Sequence, residues 1–322
     1  MSTMKIEKMW PAILAIVVVI GLMPLVIKDQ YIIHVGVFLF MYIALASSLN
    51  IIVGFTGQPN FAHATFFGVG AYAAALAALK LGTPFLFNLI LAGVVSSLFG
   101  LVIGLPSLRL KGHYLAIVTI GFGQIIRLIE INWDRFTGGP MGLPGIPTAA
   151  IGGYSFDRNA FYYFSLLLAI VILGAIYKLT NSRIGRALMS IRDDEMASEA
   201  LGVNTRYYKI YSFVLSTFLA GLCGAVYAHY VSFVSPDTFT HDDSITLICM
   251  VVLGGGGTFL GPILGATVLM LAPELFRFAS YYRYIIIGLV MVVAIMVREG
   301  VFLQPLRTFV ARIKGIGLRR ED

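Results

Sequence analysis

The sequence predicts a single all-α polytopic membrane protein with about ten transmembrane helices. Of its 322 residues, 58% are hydrophobic and only 12% are charged, and the mean hydropathy is +0.88. A soluble domain carries roughly 25% charged residues, so water is not the main solvent of this chain. A chain of this length supplies about ten spans of roughly 20 residues with their connections. One membrane domain over residues 1–322 is therefore expected.

Apolar stretches of spanning length locate the helices in order. In the first half they cover residues 10–27, 31–53, 61–79, 85–105 and 114–133. The first stretch is interpreted as an anchor, because no small-residue cleavage pattern follows its basic start. In the second half they cover residues 160–179, 210–233, 245–253, 263–276 and 284–297. The eighth and ninth are too short to cross the hydrocarbon layer, so they are predicted to be broken or re-entrant helices.

The distribution of basic residues predicts the orientation. If the amino terminus is cytoplasmic and the chain crosses ten times, most lysines and arginines lie inside. This places the charged loop at residues 182–209 and the basic tail at residues 299–322 in the cytoplasm, and the glycine- and proline-rich segment at residues 134–159 outside. Both termini are then cytoplasmic. The net charge of +7 is explained by anionic lipid, so no nucleic-acid partner is needed.

The loop at residues 182–209 is the only long charge-dense stretch. Asp193 is predicted to cap a short helix, with Asp194 and Glu195 in its first turn and Gly202 at its end. Met196 lies on one side of this helix, together with Ala200 and Leu201. Two interpretations stay open: an interfacial helix that rests on lipid headgroups, or a docking helix for a soluble protein.

Polar residues near or inside spans are costly in lipid, so they are candidates for a transport pathway. Four of them crowd the junction of the second and third spans, namely Asn50, Gln58, Asn60 and His63. His63 is interpreted as an interior histidine, because no further ligand stands at metal-binding spacing. Gln124, Arg127 and Glu130 share one face of the fifth span and could pair. The alternative for all of these residues is a structural polar network.

Glycines suggest close packing and a chain break. Gly100 and Gly104 are four residues apart in apolar context, as are Gly261 and Gly265, and packing within this subunit is the favoured use. Gly254, Gly255 and Gly256 are pathway candidates if the cluster breaks a helix at membrane depth. A simple cytoplasmic turn is the alternative.

Other functional classes find less support in the sequence. An enzyme would need a polar catalytic set, and none stands out, so no enzyme activity is expected. No phosphate-binding GxxxxGK[ST] loop occurs. An ion- or proton-coupled secondary transporter of small organic solutes would need carboxylates near the midplane and paired broken helices. That alternative stays open.

Several motifs carry a resemblance to a known family. They are GFTGQPNFAHATFFGVGAY from Gly54, LRLKGHYLAIVTIGFGQIIRL from Leu108, TGGPMGLPGIP from Thr137, GRALMSIRDDEMASEALGV from Gly185 and VLGGGGTFLGPILGA from Val252. Together and in this order, they resemble permease subunits of ATP-binding-cassette (ABC) importers for branched-chain amino acids, the hydrophobic amino acid uptake family. Pro59, Gln124 and Gly256 depart from the family pattern, which leaves the substrate less defined than the fold.

The resemblance implies a type II ABC importer-like fold in a bacterial inner membrane. It implies a heterodimer with a second related permease, two cytoplasmic ATP-binding subunits that use ATP and Mg²⁺, and a periplasmic substrate-binding protein. No cofactor is expected in this chain. The segment at residues 134–159 would then be a connector or a docking surface under the binding protein. The cargo would be branched-chain or other hydrophobic amino acids, while amides, urea or aromatic acids stay open. The residues expected to couple to the ATPase are Arg186, Arg192, Asp193, Glu195, Glu199 and Gly202.

Overall fold

The computed structural model describes residues 29–107, 110 and 112–275, together with positions 21, 23, 24, 288 and 292. The predicted spans at residues 10–27 and 284–297 therefore lie outside the described residues, apart from those isolated positions. The same is true of the tail at residues 299–322. The chain divides into two units, residues 1–266 and 267–322. Of the second unit, the structure describes the end of one helix, residues 267–275, and two isolated positions.

Four long helices form the first half of the described chain. Helix α1 (Gln30–Asn50) continues directly into a π-helix (Ile51–Phe55), and an irregular stretch leads to α2 (His63–Leu81). Helices α3 (Phe85–Ser107) and α4 (His113–Asn132) follow. Asp29 caps α1 through a 2.9 Å hydrogen bond from the Tyr31 amide, and Gly82 ends α2 in the left-handed conformation.

Turns dominate the glycine- and proline-rich segment. It contains a short helix α5 (Asp134–Thr137), a 3₁₀ turn (Gly139–Met141) and three two-residue strands, β1 (Leu143–Pro144), β2 (Ala150–Ile151) and β3 (Tyr154–Ser155). Strands β2 and β3 pair with each other in antiparallel fashion. Strand β1 pairs instead with β4 (Phe233–Val234), which lies far along the chain. This pairing connects the segment to the residues at the end of the seventh predicted span, residues 210–233.

The second half begins with α6 (Arg158–Thr180), two short helices α7 (Arg183–Asp193) and α8 (Glu195–Ala200), and the long helix α9 (Thr205–Val231). After β4 and a 3₁₀ turn (Pro236–Thr238) come α10 (His241–Gly254) and α11 (Gly261–Leu275). A capping box between Thr240 and Asp243 begins α10.

Six helices of the described residues are long and apolar enough to cross a membrane: α1 with its π-helix, α2, α3, α4, α6 and α9. These confirm the second to seventh predicted spans, whereas the count of about ten is not confirmed. Helices α10 and α11 have 14 and 15 residues. At 1.5 Å per residue each is about 22 Å long, less than the roughly 30 Å of a hydrocarbon core. The prediction of short, broken segments here agrees with these lengths.

Glycine lets α2, α3 and α9 pack backbone against backbone. A Cβ on Gly70 of α2 would collide with the backbone of Gly221 on α9, and a Cβ on Gly221 would collide with the Ala92 carbonyl of α3. Gly100 of α3 likewise meets Thr217 of α9. A Cβ on Gly104 would make only an ordinary contact with Phe213 of α9. Packing within the subunit, as predicted for Gly100 and Gly104, is therefore confirmed.

Candidate functional site

The charged loop folds into two helices rather than one. Ser182 caps α7, because its hydroxyl accepts hydrogen bonds from the amides of Ile184 (3.1 Å) and Gly185 (3.3 Å). The sequence analysis missed α7, although Gly185, Leu188 and Ile191 are buried at helical spacing. That spacing was the available signal.

The cap of α8 is Asp194, one residue after the predicted Asp193. Asp194 has an extended backbone, and its side chain accepts a 3.0 Å hydrogen bond from the Ala197 amide. Asp193 is instead the last residue of α7, where its carboxylate lies 3.4 Å from Arg192. An N-cap needs a non-helical backbone, which explains the error of one residue. Gly202 follows α8 with a φ of +84°, as predicted for the end of this helix.

Both glutamates of α8 form hydrogen bonds with residues of α9. Glu195 accepts a hydrogen bond from the ammonium of Lys209 at 2.5 Å, and Glu199 accepts one from the Thr205 hydroxyl at 2.5 Å. The Lys209 side chain is 6% exposed and that of Glu195 is 22% exposed, so this ion pair is largely removed from water. Because Thr205 and Lys209 lie in the first turns of α9, α8 is fixed to the beginning of that helix.

The other side of α8 is exposed and apolar. Met196 is 73% exposed and Leu201 is 85% exposed, and Ala200 lies beside them on the surface. Ser198, in contrast, is buried. The predicted apolar side therefore exists, and it faces away from the protein. Such a surface suits either lipid or a partner protein.

Arg192 joins the end of α7 to two other segments. Its guanidinium donates a 2.8 Å hydrogen bond to the carbonyl of Gly54 in the π-helix. It also lies where a Cβ on Gly257 would be, and its side-chain stem packs against Gly57. A π-helix is rare and often marks a functional position. We call this group of Arg192, Gly54, Gly57 and Gly257 the arginine junction. Arg186 is also exposed on α7, but it makes none of these contacts.

Asn50 holds the glycine cluster in a turn between α10 and α11. Its side-chain amide donates to the Thr258 carbonyl at 2.9 Å and accepts from the Gly257 amide at 2.9 Å. Gly255 and Gly257 have left-handed φ angles of +105° and +77°. A Cβ on Gly254 would collide with the Gly261 carbonyl, whereas one on Gly256 would make only ordinary contacts.

This turn contacts Arg192, so it lies at the end of the helix bundle that carries α7 and α8. That location supports the turn interpretation of Gly254, Gly255 and Gly256 over a helix break at membrane depth. A cavity of about 320 Å³ lies at the same end, between residues 56–59, residues 191–196 and Lys209. Asn50, Gly54 and Arg192 thus belong to one local structure.

The other polar residues near the second and third spans form a buried network. The imidazole Nε2 of His63 lies 2.9 Å from the hydroxyl of Ser48, and Ser216 donates to the Ser48 carbonyl. The Gln58 amide donates to Ser212 at 3.4 Å. The serines were missed by the sequence analysis, although Ser212 and Ser216 stand one helical turn apart in an apolar span.

Three buried atoms of this group have no hydrogen-bond partner within the described part of the chain: Gln58 Oε1, Asn60 Nδ2 and His63 Nδ1. Buried polar atoms of this kind need water or a ligand to be satisfied. No group of three metal-binding side chains occurs among the described residues. His63 is therefore an interior histidine with one side-chain partner.

Gln124 and Arg127 lie elsewhere, on α4. Arg127 pairs with Asp237 at 2.9 Å, which corrects the expected pairing with Glu130. Glu130 is buried, at 6% exposed. Gln124 is exposed and, together with Arg127, lines a small pocket whose other residues are Phe61, Thr65, Ile120, Gly123, Phe239 and His241.

Comparisons with known proteins give a consistent result. A family described as branched-chain amino acid transport system / permease component matches residues 31–295. The high-affinity branched-chain amino acid transport system permease protein LivM of Escherichia coli (strain K12) is 35% identical over 276 residues, which are 78% of this chain and 65% of the relative. The chain thus spans slightly less than two thirds of that relative's length.

More distant relatives differ in their named cargo. A probable branched-chain amino acid transport permease protein LivM of Methanocaldococcus jannaschii is 26% identical over 75% of this chain and 80% of its own length. The autoinducer 2 import system permease protein LsrC of Salmonella typhimurium is 27% identical over 66% of this chain and 60% of its own length. No solved structure matches the chain.

Proposed function

Since this chain belongs to the branched-chain amino acid transport system permease family, we propose that it is the membrane-spanning permease subunit of an ABC importer. Its cargo is a branched-chain or other hydrophobic amino acid. The cargo is the least constrained part of the proposal, because relatives of similar sequence are named for branched-chain amino acids and for autoinducer 2. Amides, urea and aromatic acids are the alternative cargoes.

The importer has parts beyond this chain. A second related permease completes the translocation pathway, two cytoplasmic ATP-binding subunits use ATP and Mg²⁺, and a periplasmic binding protein delivers the substrate. The chain itself contains no phosphate-binding loop and carries out no ATP chemistry. Both termini and the loop at residues 182–209 lie in the cytoplasm, in keeping with the bias of basic residues.

The observation that carries the proposal is the construction of α8. Its glutamates are bound to the first turns of α9, while the apolar side chains of Met196 and Leu201 are exposed. A helix held in this way can dock into an apolar groove of an ATPase subunit. It can then transmit the movement of that subunit to α9, a membrane helix of 27 residues. Glu195 and Glu199 therefore act as the attachment of α8 to α9, and the apolar side makes the contact.

The arginine junction provides a second connection. Arg192 joins α7 to the π-helix and to the turn between α10 and α11. A tilt of α7 and α8 would therefore also reach α1 and α10. Arg186 and Asp193 are exposed at the same end, and we include them in the proposed contact with the ATPase. Gly202 allows the chain to reverse between α8 and α9.

The buried polar network gives the pathway its polar lining. In the irregular stretch between the π-helix and the start of α2, Gln58, Asn60 and His63 each have one side-chain atom that no described residue pairs with. Buried polar groups of this kind need water or a ligand to be satisfied. We assign this stretch, with Asn50 at its base, to the moving part of the pathway.

Reconstitution tests the proposal. The chain is purified with the permease and ATP-binding subunits that it copurifies with, reconstituted in liposomes, and supplied with its binding protein. ATP-dependent uptake of L-leucine is expected, and an ion gradient without ATP should drive none. Uptake by this chain alone, or uptake that survives ATP depletion and collapses with the ion gradient, would identify a secondary transporter instead.

A further inference from the structure

His229 lies near the end of α9 that is opposite to the end holding α8. It belongs to the last turn of this helix and is 2% exposed. Its Nδ1 lies 2.7 Å from the carbonyl oxygen of Pro147, and its Nε2 lies 3.3 Å from the side-chain nitrogen of Asn88 on α3. A carbonyl oxygen only accepts hydrogen bonds, so Nδ1 carries the hydrogen atom and Nε2 accepts from Asn88. Both ring nitrogens are therefore hydrogen-bonded.

Asn88 is itself held in one orientation. Its side-chain nitrogen also donates to the Thr83 carbonyl at 3.1 Å, and its side-chain oxygen accepts a hydrogen bond from the Thr83 hydroxyl. The Phe85 ring packs against the imidazole of His229 at nearly a right angle, with the ring centres 5.1 Å apart. The start of α3 thus determines which nitrogen of His229 donates, and it directs that hydrogen bond to Pro147.

Pro147 belongs to the glycine- and proline-rich segment at residues 134–159, which we call the outer segment. Two further contacts join this segment to the residues just after α9. The Ile146 amide donates to the Ser232 carbonyl at 3.3 Å, and β1 pairs with β4. Ser232 has a φ of +59°, the only left-handed value at a non-glycine position among the described residues. Such a backbone persists only where surrounding contacts enforce it, so these contacts fix the end of α9 to the outer segment.

Helix α9 connects the outer segment to α8. Thr205 and Lys209, in its first turns, bind the two glutamates of α8. The helix runs without a proline over 27 residues, which is about 40 Å at 1.5 Å per residue. A Cβ on Gly224 would collide with the Phe67 carbonyl, so the middle of α9 packs tightly on α2. Closely packed interiors of this kind transmit a displacement instead of absorbing it.

We propose that His229 is a positioning residue that couples the outer segment to α8 through α9. When a protein docks on the outer segment, the hydrogen bond to Pro147 carries the displacement to α9, and the ion pair of Lys209 carries it on to α8. The outer segment presents Met141 and Tyr154 to such a protein, with exposures of 84% and 60%. This inference rests on the proposed function, because it needs a binding protein on one side of the membrane and an ATPase on the other.

Stimulation of ATP hydrolysis by the binding protein tests the coupling. The assembled importer is reconstituted, and its ATPase rate is measured with and without saturating, L-leucine-loaded binding protein. The readout is the ratio of the two rates. His229→Phe keeps a ring against Phe85 and loses both hydrogen bonds, so we expect it to lower this ratio by about 5-fold or more, the lower end of typical coupling between two sites. His229→Gln, whose amide can donate to Pro147 and accept from Asn88, should restore most of the ratio.

His34→Phe is the matched control. The Nδ1 of His34 lies 2.7 Å from the Tyr230 hydroxyl, so this hydrogen bond also holds the end of α9, but it joins α9 to α1 and not to the outer segment. The ratio should be nearly unchanged in this variant. An equal fall in His34→Phe and His229→Phe would mean that both simply loosen the helix end, and would overturn the proposal. A lower thermal midpoint of His229→Phe with a normal ratio would show a structural role only, and would overturn it too.

A second variant is used if His229→Phe does not assemble. Asn88→Leu removes the donor to Nε2, so the imidazole is no longer directed to Pro147, and the ratio should fall in the same direction. Normal stimulation in Asn88→Leu would then refute the proposal.

These outcomes are separate from a failure of the proposed function. An importer that takes up L-leucine with ATP, and whose ATPase responds equally to the binding protein in the wild type and in His229→Phe, keeps its function and loses this coupling. ATP-driven uptake without any stimulation by the binding protein has the same consequence. A chain that supports no ATP-driven uptake loses the proposed function, whatever the variants show.

Discussion

The ion pair between Glu195 and Lys209 offers the sharpest test of how α8 is attached to α9. Glu195→Ala would leave the Lys209 ammonium with 6% exposure and without the carboxylate that it contacts. Removing one partner of a buried ion pair costs about 3–5 kcal/mol. Glu195 is itself 22% exposed, so water can partly replace it and the lower end of this range applies. We expect a cost of about 3 kcal/mol.

This cost exceeds what a six-residue helix can supply on its own, because isolated helices shorter than about 12 residues are marginal in water. The loss should therefore appear as local opening of α8. At 1.4 kcal/mol per tenfold change, 3 kcal/mol corresponds to an opening equilibrium raised by roughly 100-fold. The amides that report it are those hydrogen-bonded in α8 and its end, namely Ser198, Leu201, Gly202 and Val203.

Hydrogen exchange on the assembled importer is the assay. Exchange of these four amides should become roughly 100-fold faster in Glu195→Ala, while amides in the middle of α9 keep their rates. ATP hydrolysis should continue as leucine uptake falls. Arg206→Ala is the matched control, since Arg206 is a nearby exposed charge whose side chain forms no hydrogen bond with a described residue. Unchanged exchange in Glu195→Ala, or equal effects in both variants, would refute the attachment of α8 through this pair.

Three further predictions concern other parts of the chain. Glu199→Arg or Gly202→Pro should uncouple transport from ATP hydrolysis while membrane insertion stays intact, and normal ATP-driven uptake in both variants would contradict the role of α8. Gly221→Ala should destabilise the packing of α2, α3 and α9 by about 1–3 kcal/mol and lower the thermal midpoint of the purified chain, whereas Gly174→Ala, where a Cβ meets nothing, should not. Asn50→Ala should leave the Gly257 amide and the Thr258 carbonyl unpaired, at about 1–3 kcal/mol each, and raise hydrogen exchange in residues 255–260. Asn50→Asp, which keeps the acceptor for the Gly257 amide, should have a smaller effect. Equal exchange in the two variants would argue that the hydrogen bonds of Asn50 do not hold the turn.

The long helices could be predicted from the sequence because their signal is local. A continuous apolar run specifies a span whatever it packs against, and six of the predicted spans agree with helices of the described chain. The predicted N-cap of α8 was wrong by one residue. Asp193 and Asp194 are chemically equivalent as caps, and only the length of α7 decides between them.

Partners distant in sequence could not be predicted in the same way. The i, i+3 rule suggested Glu130 as the partner of Arg127, but it does not include Asp237, which lies 110 residues away. Similarly, the family resemblance led us to expect that Glu195 and Glu199 contact the ATPase. Nothing in their spacing indicated that Lys209 and Thr205 on the next helix would bind them.

The arginine junction also changes what a motif match in this chain means. The stretches that begin at Gly54, Gly185 and Val252 are far apart in sequence, yet Arg192 donates a hydrogen bond to the Gly54 carbonyl and fills the space that a Cβ on Gly257 would need. Gly57 and Gly257 have left-handed φ angles of +72° and +77°, so a side chain at either position would be strained, and it would also collide with Arg192. We therefore expect related sequences to keep Gly57, Arg192 and Gly257 together. When all three motifs occur in one sequence, they indicate one arginine junction rather than three separate resemblances.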